Sequence, residues 1–268
     1  MLNFTLPNFY EFYYLNEFIF QISKQHPEYF KTPVSFIQLS GGFPYCSWTG
    51  GYNSNYGVGS FYKDFEQCYR QASAPLRINF ANVLLEDYDF YDAMANTICE
   101  VNHNGSNLIA VSNISLFETL KEKYPNYSFV FSREADLITP FTPEILNSIN
   151  EDNQFKLIEL PERVSNDFDF LKELKHKQKY EIVVNPLCNP QCKNYEQCHI
   201  NEHQKQLDYS SYSNFRNCIK INPNYSNNKN LLSIDDLKSL YVPLGITHFT
   251  FSPFLYGENH INVLYFYV

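Results

Sequence analysis

The chain has 268 residues, of which 44% are hydrophobic and 18% are charged, and its formal net charge is -9. This length suits a single (β/α) barrel, which commonly takes about 250 residues. The acidic balance excludes non-specific nucleic-acid binding by the whole surface, because phosphate backbones are bound by faces rich in Lys and Arg.

The N-terminal segment, residues 1–32, is predicted to be a helix rich in Phe and Tyr. It has no basic region before its apolar residues, and Glu11 interrupts them, so the pattern differs from that of a signal peptide. No stretch of the chain approaches the roughly 18 apolar residues that a membrane span needs. We therefore expect a cytoplasmic protein that does not bind a membrane.

Seven apolar runs of strand length come next, and helical patterns separate them. The predicted strands are 34–39, 76–80, 108–111, 129–131, 155–160, 180–184 and 247–251. Nearly continuous apolar strands that alternate with helices are typical of parallel βαβ units. The predicted fold class is therefore α/β, a TIM-like (β/α) barrel that spans residues 1–268 as one domain.

The number of strands stays open at this point, because seven strands make either a seven-stranded barrel or an incomplete one. Residues 261–268, INVLYFYV, form either an eighth strand or a last helix. The helices between the strands are predicted at 87–101, 114–124, 143–149, 168–177 and 234–240.

Two segments, 41–75 and 186–231, are too long to be simple connections, and long loops in a compact domain are usually functional or disordered. The first contains Trp48, the only tryptophan, and two glycine pairs. It forms either a wall across the barrel mouth or a surface excursion held by Trp48. The second is predicted to be a cysteine-bearing loop inserted after the sixth predicted strand.

Polar residues follow the predicted strands, at the end where a barrel collects its functional side chains. Five are candidates for substrate binding: Ser40, Asn82, Ser112, Ser132 and Asn185. Arg133 and Glu134 follow the strand 129–131, and we predict anion binding by the former and proton transfer by the latter. Such a pocket suits a polar organic ligand. The alternative is that these hydroxyls and amides only terminate the strands.

The cysteines of residues 186–231 have the spacing C-x3-C-x5-C-x19-C. They are Cys188, Cys192, Cys198 and Cys218. Four thiolates in one loop-rich segment are typical ligands of an iron–sulfur cluster or of a tetrahedral zinc ion. His199 and His203 leave a site with three cysteines and one histidine open, and a group of unrelated buried thiols is the remaining alternative.

The segments VVNPLCNPQC, SGGFPYCSWTGGYN and NFANVLLED resemble a bacterial branch of the U32 peptidase-like family of (β/α) barrels. The resemblance spans roughly residues 34–255 and implies that the four cysteines hold a [4Fe–4S] cluster. Members of the broader family are associated with oxygen-independent hydroxylation of RNA bases or quinone precursors, and others carry a peptidase label.

The functional prediction is an iron–sulfur enzyme that carries out redox modification, such as oxygen-independent hydroxylation, of a small organic or nucleobase-like, RNA-derived substrate. The alternative is a binding or structural protein in which zinc at the cysteines fastens the loop. A hydrolase would rest on the family label alone, since the sequence has no H-E-x-x-H motif and no recognisable Ser-His-Asp arrangement. The identity of the metal separates the first two predictions.

Overall fold

The structure is a computed structural model of the chain. It describes residues 1–10, 12–30, 32–43, 46–50, 71–101, 103–151, 153–186, 192–208 and 231–252. Its central element is a closed barrel of parallel strands paired in chain order. The strands are β1 Leu2–Leu6, β2 Val34–Gly41, β3 Leu76–Phe80, β4 Leu108–Val111, β5 Ser128–Phe131, β6 Phe155–Glu159, β7 Tyr180–Val183 and β8 His248–Thr250.

In the described ranges, helices follow β1 and each of the strands from β3 to β7. The α-helices are α1 Tyr13–Gln25, α2 Ala93–Val101, α3 Ile114–Lys123, α4 Pro143–Glu151, α5 Glu162–Ser165, α6 Phe168–Glu173, α7 Tyr195–Asp208 and α8 Ile234–Asp236. Short 3-10 helices cover Pro27–Tyr29, Asp87–Tyr91, Arg133–Leu137, Lys177–Lys179 and Val242–Leu244, and a π-helical turn covers Leu237–Tyr241. Across the described ranges, none of the helices has the length and apolar content to cross a membrane.

Pairing of β1 with β8 closes the barrel. Residues 3–5 of β1 lie opposite residues 248–250 of β8, and the other edge of β1 pairs with β2. Phe4 of β1 is 1% exposed, and its ring centroid lies 5.7 Å from that of Phe249 and 5.4 Å from that of Phe251. The first strand therefore completes both the sheet and the apolar core.

The seven predicted strands are confirmed as parallel neighbours, each within two residues of its predicted bounds. The seven-stranded or incomplete barrel is wrong, because β1 supplies an eighth strand inside the segment predicted to be helical. Its five residues include the polar Asn3 and Thr5 and stand directly before an aromatic helix, so the sequence shows no separate apolar run there. Residues 261–268 lie outside the described residues.

Two predicted segment assignments also change. The N-terminal segment is a strand followed by α1, and α1 covers a shorter part of it than predicted. The cysteine-bearing segment contains a helix of 14 residues, α7, where a loop was predicted. Glu, Gln, Lys and Leu in YEQCHINEHQKQLD are favourable helix formers, and their propensity prevails over the irregular apolar pattern.

Candidate functional site

A pocket lies at the carboxyl ends of the strands, where a (β/α) barrel carries its functional groups. Its empty space is ≈ 500 Å³, part of which is open to solvent. Four of the predicted site residues line it, namely Ser40, Ser132, Arg133 and Glu134. The structure thus brings together side chains from the ends of β2 and β5 that the sequence could only assign to a common mouth.

Glu134 binds two histidines of α7. Its Oε2 atom lies 3.2 Å from Nδ1 of His199 and 3.1 Å from Nε2 of His203. The three side chains are buried, with exposed fractions of 7% for the glutamate and 2% and 0% for the two imidazoles. Because residues four apart share one face of a helix, both imidazoles point from α7 to the same carboxylate. The two contacts hold α7 against the barrel mouth.

The pKa of Glu134 is set by opposing effects. Burial by itself raises the pKa, but the charge of His199 and the hydrogen bonds from His199 and His203 lower it well below its usual range. Glu134 is therefore ionised at neutral pH. A carboxylate of this kind is suited to orienting the two imidazoles and to attracting a positively charged group.

Arg133 is already paired with a carboxylate. Its Nη1 atom lies 2.9 Å from Oε1 of Glu162, the first residue of α5, and its Nε atom lies 3.7 Å from Oε1 of Glu134. The hydroxyl of Tyr195 donates to the other oxygen of Glu162 at 3.0 Å. Glu162 therefore competes with any anion for Arg133, and Tyr195 gives α7 a second attachment beside the mouth.

A second group of charges lies inside the barrel. Arg77 of β3 is 1% exposed, and its Nη2 atom donates to Oε1 of Glu181 on β7 at 2.8 Å. Its Nη1 atom also lies 2.6 Å from Oε1 of Glu159 on β6. The other oxygen of Glu159 accepts from the hydroxyl of Ser132 at 3.2 Å. Glu159 lines the pocket, so the buried Arg77 holds one of the pocket's carboxylates in place.

The described part of the long segment 41–75 forms part of the pocket wall. Trp48 is 1% exposed and donates through Nε1 to the carbonyl of Asp89 at 2.7 Å. Gly50 lines the pocket, and a Cβ atom there would lie 2.4 Å from Nδ1 of His203 and 2.5 Å from the backbone of Asn82. Glycine is therefore needed where this segment passes between α7 and the end of β3.

The remaining candidates for substrate binding do not line this pocket. Asn82 donates to the carbonyl of Ser47 at 2.8 Å and to that of His203 at 3.2 Å, so it fastens the wall segment and α7. Asn185 accepts from the backbone N–H of Ser252 at 2.7 Å and joins the ends of β7 and β8. Ser112 is buried at the end of β4. The alternative that these groups only terminate strands fits Asn185 better than substrate binding does.

The predicted metal ligands are described only in part. Cys192 is exposed and Cys198 is half-buried on α7, while Cys188 and Cys218 lie outside the described residues. Convergence of the four sulfur atoms therefore stays a prediction. In the part of the chain that the structure describes, there is no group of three or more His, Cys, Asp or Glu arranged to hold a metal ion.

Two parts of the site were not predicted from the sequence. Arg77, Glu159 and Glu181 were not singled out, although a charged residue in a short apolar strand such as LRINF or YEIV is itself a signal of an internal ion pair. His199 and His203 were considered only as metal ligands. Their spacing indicates a shared helix face but does not reveal that the facing partner is Glu134.

The architecture and mouth are those of an eight-stranded (β/α) barrel with a polar pocket. Comparisons with protein-family models and with curated proteins gave no match. The solved structure of "the U32 Peptidase Mk0906" is similar to this chain, with a TM-score of 0.57 and 9% identity, over 95% of this chain and 94% of that chain. The resemblance to the U32 barrel is thus confirmed for the fold.

Proposed function

We propose that the protein is an enzyme that modifies a small polar organic substrate by redox chemistry at the barrel mouth, beside a metal group held by the cysteine segment. The observation that carries the proposal is the position of α7. Cys192 precedes the first residue of α7 by three positions, and Cys198 lies in its first turn. The next residue, His199, contacts Glu134 in the pocket wall. A metal group on these cysteines would therefore adjoin the pocket.

The chemistry of the described thiols supports this choice of ligands, because metals are bound by thiolates. Burial raises the pKa of Cys46 to about 12 and also raises that of Cys99, so both stay protonated. Cys192 is exposed and Cys198 is half-buried, and neither forms a disulfide. With the other two cysteines of the segment, they would hold a [4Fe–4S] cluster, which would supply a route for single electrons between a neighbouring substrate and an external electron acceptor.

The chain's own residues would bind the substrate and transfer protons. Ser40 and Ser132 offer hydroxyls to the pocket, and α7 shields Glu134 from solvent, which strengthens electrostatic interactions there. The two imidazoles that Glu134 orients are the groups in this site that can hold or pass a proton near neutral pH. The reaction that we propose is oxygen-independent hydroxylation of a nucleobase-like ring, in which a C–H bond becomes C–OH with an oxygen atom from water. The two electrons released would pass to an external electron acceptor, and the two protons to nearby bases such as the imidazoles.

The test is metal analysis of protein isolated without air. We expect a brown protein that absorbs near about 400 nm and contains iron and sulfide. Cys192→Ser replaces a thiolate with a mostly protonated hydroxyl and should lower the iron content at least tenfold. Cys99→Ala is the matched control, because this buried cysteine of α2 lies outside the segment, and it should keep the iron.

Two results would contradict the proposal. A colourless protein with stoichiometric zinc would favour the alternative, a binding or structural protein whose cysteine segment is fastened by zinc. Full iron content in Cys192→Ser would show that the metal is held elsewhere.

A further inference from the structure

Carboxylates outnumber cations around the pocket. Among the described residues, the charged cluster at and below the mouth consists of Glu134, Glu159, Glu162, Glu181, Arg77 and Arg133. Its four carboxylates and two guanidinium groups leave two negative charges in excess before the neighbouring imidazoles are counted. Because unpaired buried charge is costly, the excess favours the binding of a positive group.

Two imidazoles adjoin this cluster at Glu134, those of His199 and His203. His248, which adjoins Glu181, adds no charge at neutral pH because burial lowers its pKa.

Two oxygen atoms of the pocket wall accept no hydrogen bond from the described residues. Oε1 of Glu134 has Arg133 Nε at 3.7 Å, beyond hydrogen-bond distance, and no other described group donates to it. Ser40 is 6% exposed, and no described residue contacts its hydroxyl through a hydrogen bond. Both residues line the pocket. A carboxylate oxygen and a hydroxyl that line the pocket without a described donor can accept hydrogen bonds from a ligand with N–H groups.

We propose that the pocket binds a positively charged amino group of the substrate, an ammonium that donates hydrogen bonds to Oε1 of Glu134 and to the hydroxyl of Ser40. An ammonium has three donors and no acceptor, which matches this acceptor-rich wall. A carboxylate or phosphate would meet Glu134 and Glu159 as like charges. The inference deepens the proposed function, on which it rests only in taking this pocket as the substrate site.

The experiment uses n-butylammonium as the probe, with 1-butanol and butyrate as neutral and anionic molecules of the same length. Binding to the full chain is measured by saturation-transfer NMR and titration. We expect n-butylammonium to bind with a Kd on the order of 1 mM, and the two analogues to bind at least tenfold more weakly. Glu134→Gln keeps the size of the side chain but removes its charge, and should weaken n-butylammonium binding at least tenfold.

Two further variants complete the design. Ser40→Ala should weaken binding by a factor of roughly 2 to 10, the usual range for one hydrogen bond, and it carries the test if Glu134→Gln does not fold. Glu118→Gln, at an exposed position on α3, should bind the probe as the wild type does. Equal binding of 1-butanol, or wild-type affinity in both Glu134→Gln and Ser40→Ala, would overturn the proposal.

The result is independent of the metal. Cys192→Ser should still bind n-butylammonium, because none of the proposed contacts involves the cysteine segment. Amine binding in a protein that contains no iron would contradict the redox function and support the cation pocket. An iron-containing protein that binds 1-butanol and n-butylammonium with equal affinity would support the redox function and contradict the cation pocket.

Discussion

Arg77 places a guanidinium group inside the barrel, between strands that are distant in sequence. It joins Glu159 of β6 to Glu181 of β7, and Thr5 of β1 donates to Glu181 at 2.9 Å. Burial by itself raises the pKa of Glu181, but Arg77 and the hydrogen bonds lower it below its usual value. The arginine thus stabilises a carboxylate in the core and holds another, Glu159, at the pocket.

Arg77→Met should destabilise the protein by about 3–5 kcal/mol at pH 7, because it leaves two carboxylates without their cation. The measurement is urea unfolding. In the wild type, the pKa of Glu181 is lower in the folded protein than in the unfolded chain. Glu181 therefore contributes stability at pH values above its pKa in the unfolded chain, and this contribution is lost as the pH falls through its pKa in the folded protein. In the variant, burial raises the pKa of Glu181, so protonation favours folding.

The difference between wild type and Arg77→Met should therefore shrink as the pH falls from 7 toward about 4. Adding Glu181→Gln to Arg77→Met should recover part of the lost stability at pH 7, since it removes one unpaired charge. If Arg77→Met lowers the free energy of unfolding by less than about 1 kcal/mol, and this loss does not depend on pH, the ion pair is not a stabilising contact of the folded state.

At the scale of elements, α7 is the link between the cysteine segment and the pocket. Three side chains attach it to the mouth: His199 and His203 at Glu134, and Tyr195 at Glu162. The ends of strands β5 and β6 provide both carboxylates. The position of α7 therefore depends on polar contacts to the mouth as well as on packing.

His203→Ala should loosen α7, because it removes a hydrogen bond to a carboxylate and empties the space beside Gly50. Such bonds contribute about 1.5–3 kcal/mol, so exchange of the amide hydrogens in residues 195–208 should become at least tenfold faster. Gln197→Ala, on the exposed face of the same helix, is the control and should leave exchange nearly unchanged. Equal exchange rates in the two variants would mean that Glu134 does not hold α7.

In the whole molecule, β1 closes the barrel, and Phe4 is one of the residues by which it joins the apolar core. Phe4→Ala should destabilise the protein by about 3–5 kcal/mol, because it removes a ring that packs against Phe36, Phe249 and Phe251. Phe18→Ala, at a position on α1 that is 59% exposed, should change stability by no more than about 0.5 kcal/mol. Similar effects of the two substitutions in thermal unfolding would argue against β1 as the closing strand.

The sequence predicts those parts of the molecule that have a local signal. Strands such as LIAV in β4 are wholly apolar, and their alternation with helices indicates a parallel barrel. β1 has no such signal, because its place is determined by pairing with β2 and β8, which are distant in sequence. The contact of Glu134 with α7 likewise joins residues 65 apart and can be recognised only in three dimensions.

We propose that a metal group held by the cysteine segment lies at the barrel mouth beside the pocket. The most direct test is X-ray diffraction from crystals grown without air, with the anomalous signal recorded at the iron absorption edge. We predict an iron peak about 2.3 Å from the sulfur atoms of Cys192 and Cys198, the usual length of a bond between a thiolate and a metal. A peak at another place in the chain, or no iron peak in ordered crystals, would show that the cysteine segment holds no iron at the mouth.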